Sequence, residues 1–263
     1  MSNDTSFSAL VASAFDLFQQ RRKEVLVSAI FFTIFMALPK DLLKELSFAP
    51  TTMGLTILLA SLLIIGMVAW FFLAFLYTAY YYVLFIQQPA SYKIAIKSAA
   101  RLVFPMIGIG FLVFFQSFAF VSVLSIPFFI IGNVYYGIGV LFLLAGMIAA
   151  FIQVPRYFLA AILVAGGAKS IHTAMKDSYA KTEGYWGKIF GNNLLLMLGI
   201  MILNAMVGGI AGIMVLITHG ALLSTILIDY VSIVFGAFIT AFQVKLAAAI
   251  IANPRMKTAV IKS

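Results

Sequence analysis

Only 10% of the 263 residues are charged, so polar side chains set inside apolar stretches are the ones placed to do chemistry. Arg156 and Lys245 are the two cations of this kind, with Gln153 and Gln243 close by in sequence. On adjoining helices they would form a cationic, hydrogen-bonding pocket for a phosphate or carboxylate headgroup. Pro155 would add to it, because it has no N–H to give and frees the carbonyl of Phe151. The alternative is that each long side chain snorkels to the interface. Asp229 is the one acid inside an apolar stretch, and burying a charge in lipid is costly. With Asn204 it is a candidate for cation binding or proton transfer, unless it lies near enough to the outer surface to meet water or Ser224. Asn204 and Gln116 also suit interhelical hydrogen bonds.

A second group of cations is periodic. In "SYKIAIKSAARLVFP" (91–105), Lys93, Lys97 and Arg101 recur every four residues, beside a row formed by Tyr92, Ile96, Ala99 and Val103. One apolar and one basic side suit a helix lying in the membrane interface, with its cations among anionic headgroups. The same pattern occurs earlier, where Phe7, Leu10, Val11, Ala14, Phe15 and Phe18 oppose Asp16, Gln20 and Lys23. It returns in "KSIHTAMKDSYAK", where Ile171, Ala174, Met175 and Ser178 oppose Lys169, Thr173 and Lys176. Lys93, Lys97, Arg101, Lys169 and Lys176 thus join Arg156, Lys245 and Gln153 as headgroup candidates.

Catalysis needs a constellation, and none is found. There is no HExxH and no phosphate-cradling loop. His172 and His219 are expected on opposite sides of the membrane, and the absence of cysteine removes disulfides, thiolate metal sites and thiol nucleophiles. The expectation is a protein that is not an enzyme, with no catalytic residues, metal or cofactor. Gly108 and Gly110, inside an apolar run, read as packing positions.

The elements that carry these residues follow from composition. At 64% apolar, the chain is too hydrophobic for a water-soluble domain. Six apolar segments stand out, at 25–39, 53–86, 103–131, 134–165, 194–218 and 221–252, against the ~20 residues that cross a bilayer. Pro39 is expected to close the first, and Pro105, Pro127 and Pro155 mark kinks or ends. Tight connections at Gly132–Asn133 and His219–Gly220 imply hairpins. Thirteen of the 17 Lys and Arg fall on one side: Arg21, Arg22 and Lys23; Lys93, Lys97 and Arg101; Lys169, Lys176, Lys181 and Lys188; Arg255, Lys257 and Lys262. Lys40 and Lys44 face the other, so both termini are expected in the cytoplasm. This also accounts for the net charge of +9 without nucleic acid. The opening "MSNDTSFSALVASAFDLF" has no basic n-region and does not read as a cleavable signal. Tyr77, Tyr80, Tyr81 and Tyr82 read as an interfacial aromatic belt, and Gly208-x-x-x-Gly212 permits close helix approach, within the monomer or across a dimer.

The expected fold is all-α: a polytopic membrane protein with six transmembrane helices in three hairpins, each preceded by a cytoplasmic amphipathic interfacial helix. Ser91/Ser170, Ala95/Ala174 and Lys97/Lys176 match between two of those helices, with Ser8 and Ala12 as a weaker third match. This suggests one membrane domain over 1–263 made of pseudo-repeats at about 7–86, 91–165 and 169–252.

Residues 157–191, with Gly166–Gly167, the Ala174 to Ser178 spacing and Gly184-Tyr185-Trp186, resemble the YciC-like bacterial inner-membrane proteins. They also resemble the related membrane domain that precedes some glycerophosphodiester phosphodiesterases. The proline frequent near the end of the preceding span is replaced here by Ala160–Ala161. The resemblance implies a multi-pass protein of the bacterial inner membrane with a part in envelope or lipid homeostasis. Together these readings point to a non-enzymatic protein that binds, organises or moves membrane phospholipids, anionic ones above all. The alternatives are a small transporter or channel using Asp229, and a scaffold for a protein complex. A homo-oligomer or an envelope-protein partner stays open.

Overall fold

The computed structural model describes residues 6–46, 53–131, 140–141, 144–145, 157–168, 170–218 and 221–252. Within them the chain is helical: α1 (Phe7–Gln20), α2 (Arg22–Leu46), α3 (Met53–Ile86), α4 (Tyr92–Ile131), α5 (Phe158–Ala165), α6 (Ile171–Thr182), α7 (Trp186–Thr218) and α8 (Ala221–Ile251). Four of these, α3, α4, α7 and α8, contain segments long and apolar enough to cross a membrane: Ile64–Ile86, Tyr92–Ala119, Trp186–Ile213 and Ile226–Ile251. Their surfaces fit that medium, with Phe104 71%, Met201 67% and Ile65 64% exposed. The buried positions mix sizes: Ala79, Ala99, Ala160, Ala174, Ala237 and Ala241 are closed off completely, and so are Tyr81, Phe242 and Leu246. Large apolar groups on the outside are what lipid tolerates, since tails solvate Phe and Leu as well as a protein core does.

The segments expected at 53–86, 194–218 and 221–252 match α3, most of α7 and α8. Most of the segment at 134–165 lies outside the described residues, as do both tight connections. The expectation that Pro39 closes its helix is corrected, since α2 continues through it to Leu46; Pro105 and Pro127 do not end α4, which runs on to Ile131. A proline removes one N–H from the ladder, and flanking helix formers resume it. The stretch at 91–105 is therefore no separate interfacial helix. It is the start of the 40-residue α4, on the order of 60 Å long at ~1.5 Å per residue, twice the thickness of the hydrocarbon core.

The buried face of that stretch is also shifted. Ala95, Ala99, Val103 and Met106 are buried, whereas Tyr92 and Ile96 are exposed. The same register recurs in the two other amphipathic helices. Ser6, Ser91 and Ser170 each accept, at the main-chain carbonyl, from the N–H four residues on, at Leu10, Ala95 and Ala174. All three of those are buried, as are the positions eight residues on, Ala14, Ala99 and Ser178. Ser91 Oγ and Ser170 Oγ each also accept from the N–H three residues on, at Ile94 (3.4 Å) and Thr173 (3.1 Å). The matching position in α1 is thus Ser6, two residues before Ser8. Ala12 is exposed and cannot stand for Ala95.

The described chain forms two units, one from Ser6–Val103 with Leu194–Lys245, the other from described parts of Phe104–Asn193 and Leu246–Ser263. In the first, α2, α3 and α8 are joined by polar ties. Ser28 Oγ and Tyr81 Oη are 3.0 Å apart, the Tyr82 hydroxyl donates to Gln243 Oε1 at 2.8 Å, and the Tyr77 hydroxyl donates to the Ile233 carbonyl at 2.9 Å. Tyr80, Tyr81 and Tyr82 are buried, so this row is bundle interior and the aromatic-belt reading is corrected. Gly236 admits Tyr77: a Cβ there would run into the tyrosine hydroxyl. α1 lies against α8 through Phe7 on Phe242 (5.8 Å between ring centres) and Phe18 on Phe238 (6.1 Å). The turn into α2 is held by Arg21, whose Nη1 donates to Glu24 Oε1 at 3.0 Å.

We expect Gly236→Ala to lower stability by about 1–3 kcal/mol through overpacking against Tyr77. Adding Tyr77→Phe should recover part of that loss. Thermal unfolding of both variants in detergent checks the coupling, and independent, additive losses would contradict it.

Candidate functional site

The second unit contains a groove of about 590 Å³ between α4 and α6, lined by Leu112, Phe115, Gln116, Tyr157, His172, Met175, Lys176 and Tyr179. Its construction starts at the α5–α6 turn. α5 ends in a Schellman arrangement: the Ala168 N–H donates to the Leu163 carbonyl (2.9 Å) and the Gly167 N–H to that of Val164 (3.0 Å). Gly167 has φ +102°, a conformation open to glycine and unfavourable for other residues. Ser170 then caps α6. On the buried face of α6, Ser178 Oγ accepts from the Leu159 N–H at 3.1 Å. Ser178 thus fixes the two helices to one another.

α6 comes close to α4 at Gly108, where an added Cβ would stand 2.9 Å from Ile171 Cδ1. One helical turn further along α4 come Leu112, then Phe115 and Gln116; along α6 come His172, Met175, Lys176 and Tyr179. The α6 set has the spacing i, i+3, i+4, i+7, one face of a helix. Tyr157 closes the base, its ring 6.3 Å from that of Tyr179. Leu112, Phe115 and Met175 make an apolar wall, beside which stand an ammonium, an imidazole, an amide and two phenols. Those groups can donate to phosphate or carboxylate oxygens, with the lysine supplying the charge-assisted bonds. Among the described residues, no group of three metal-ligating side chains is present.

Of the headgroup candidates among the described residues, Lys176 alone lines this groove, joined by Gln116. Lys93, Lys97 and Arg101 form an exposed stripe at the start of α4. Arg156, Gln153 and Lys169 lie outside the described residues. Lys245 is half-buried on α8, and its neighbour Gln243 is engaged by Tyr82. Asp229 is half-buried within the apolar part of α8, and Asn204 is exposed on α7. His172, Tyr157 and Tyr179 were not read as site residues. Their signal was the stripe at 172, 175, 176 and 179, which straddles the apolar and polar faces assigned from sequence.

Comparison with protein-family models, with curated proteins and with solved structures gives no match. The site therefore stands on its geometry.

Ser178→Ala should leave the Leu159 N–H buried without this acceptor, at a cost of about 1–3 kcal/mol. We expect a lower melting temperature and faster proteolysis at the α5–α6 turn. Unchanged values for both would remove Ser178 from its positioning role.

Proposed function

We propose that this is a non-enzymatic, multi-pass protein of the bacterial inner membrane that binds and organises or moves anionic phospholipids. The observation that carries the reading is the groove between α4 and α6. Its apolar wall of Leu112, Phe115 and Met175 suits an acyl chain, and Lys176, His172 and Gln116 beside it suit a phosphate-bearing headgroup. α4 contains a segment apolar enough to cross the membrane, and α6 is amphipathic, so the groove joins a hydrocarbon-facing wall to a headgroup-facing one. Arg22, Lys23, Lys93, Lys97 and Arg101, all exposed, supply further positive charge for an anionic surface.

The reading takes the protein as six transmembrane helices in three hairpins, each introduced by an amphipathic segment, with both termini cytoplasmic. Support for the threefold plan comes from the shared serine-initiated register of α1, α4 and α6. The envelope or lipid role agrees with what the likeness of 157–191 to YciC-like proteins implies. A transport reading rests on Asp229, half-buried within a candidate span.

Native mass spectrometry of the protein, gently extracted from its own membrane, tests the lipid reading. One anionic phospholipid class should be retained, and His172→Ala with Lys176→Ala should weaken its retention about tenfold or more, given ~1.5–3 kcal/mol for a hydrogen bond to a charged group. Asp229→Asn should leave it unchanged. Unselective lipid adducts that ignore the groove substitutions would sink the reading. The chain has no cysteine, so orientation is testable by single replacements. Lys176→Cys should react with a membrane-impermeant maleimide only after the inner membrane is opened, and Lys40→Cys before.

A further inference from the structure

A second groove, in the unit formed by Ser6–Val103 and Leu194–Lys245, has no polar side chain in its lining. It measures about 400 Å³, within the ~300–1,000 Å³ of ordinary ligand pockets. Its three walls are Phe7, Val11, Phe15 and Phe18 of α1; residues of α7 from Leu195 to Leu203; and Val234, Phe235 and Phe238 of α8. Gly199 sits in the α7 wall, and a Cβ there would meet nothing within 4 Å.

Three observations name the occupant. First, the α7 and α8 walls lie within Trp186–Ile213 and Ile226–Ile251, segments apolar enough to cross a membrane, so the groove opens at hydrocarbon depth. Second, α1 is amphipathic, with Asp16 and Gln20 exposed on its far side, and its phenylalanines close the groove over α8 through the Phe7–Phe242 and Phe18–Phe238 contacts. The space is thus walled on three sides, unlike the open flanks of α3 around Ile64 and Ile65. Third, charge is placed at one end. Lys245 follows Phe238 by seven residues and Val234 by eleven, which puts it on the same face of α8, about 10 Å beyond Phe238 toward the C-terminal end at ~1.5 Å per residue.

We infer that this groove holds one acyl chain of an anionic phospholipid, whose headgroup Lys245 meets. The inference rests on the lipid-binding reading and adds to it a second, chain-selective site built from α1, α7 and α8. It also gives Lys245 a role that does not require Arg156 or Gln153.

The test uses the full-length protein in vesicles of phosphatidylethanolamine and phosphatidylglycerol, with a phosphatidylglycerol that carries a diazirine in one acyl chain. After irradiation, adducts are mapped by peptide mass spectrometry. We expect labelling to concentrate on 7–18, 195–203 and 234–238 relative to 64–65. Gly199→Leu, whose Cβ meets nothing within 4 Å and whose side chain would occupy the groove, should reduce it about tenfold or more, the effect of losing one well-defined binding mode. Gly66→Leu, at another position with open space, is the matched control and should leave labelling unchanged. Lys245→Gln should reduce labelling by the anionic probe and spare that by a phosphatidylethanolamine probe. Melting temperatures identify any variant that fails to fold, and the wild-type adduct map decides the case on its own. Labelling no denser in the groove than at 64–65 would overturn the inference. His172→Ala with Lys176→Ala separates the two readings. Groove labelling that persists while class-selective retention is lacking would sink the α4–α6 headgroup site alone; selective retention without groove labelling would sink this one alone.

Discussion

The hydrogen bond from Tyr77 to the Ile233 carbonyl, made in the space Gly236 leaves open, organises the unit to which it belongs. In lipid, apolar side chains gain little by leaving the tails for a protein interior, so helices are held by close backbone approach and by polar groups that need partners. A carbonyl of α8 receives the tyrosine hydroxyl, while Tyr82 and Gln243 make a second tie between the same two helices. With Gly236 turned toward α3, the opposite side of α8, carrying Val234, Phe238 and Lys245, is left to α1 and the apolar groove.

The other unit solves the same problem with backbone caps. Ser178 serves the Leu159 N–H, and Gly167 allows the chain to reverse so that α6 returns alongside α5. Gly108 then takes Ile171 at close range, and the residues that follow on both helices line the groove. The Ala174 to Ser178 spacing, met in the sequence as a likeness to other proteins, therefore has a mechanical content. Alanine permits the approach and serine closes the hydrogen bond it would otherwise leave open.

Much of the helical plan was legible because apolar run length is a strong signal, and the ends of α3 and α8 agree with it to a residue. The start of α7 was missed by eight residues, since 186–193 carries Lys188, Asn192 and Asn193 and does not read as an apolar run. The mark that does locate it is Gly184, at φ +77°, which turns the chain out of α6. Prolines misled in the other direction, because the loss of one N–H in a long helix is tolerated where the flanking ladder is intact. The tyrosine row misled for a different reason. A run of four aromatics around a helix points to every side, and only the partners on α2 and α8 decide that it is interior. Of the site, the Lys176 charge was legible and its companions were not. Gln116 and His172 are about 55 residues apart in sequence and meet only through the close approach at Gly108.

The two grooves differ in how they would discriminate, and the difference follows from the solvent. An acyl chain moving from the bilayer into the space between α1, α7 and α8 exchanges one apolar surrounding for another, so burial alone gives it no large gain. What favours residence there is contact with fixed side chains on three sides and a charge at the end, a modest total that is compatible with exchange. Between α4 and α6 the balance is reversed. Lys176 and His172 offer donors that a headgroup can use in place of water, while Phe115, 60% exposed, offers an open wall and little enclosure. On the proposed reading, the first arrangement would select for the length and shape of a chain and the second for the charge of a head. Neither offers the large desolvation terms that trap a ligand in a soluble protein. Lipids held in this way would be sorted or passed within the membrane and not sequestered from it.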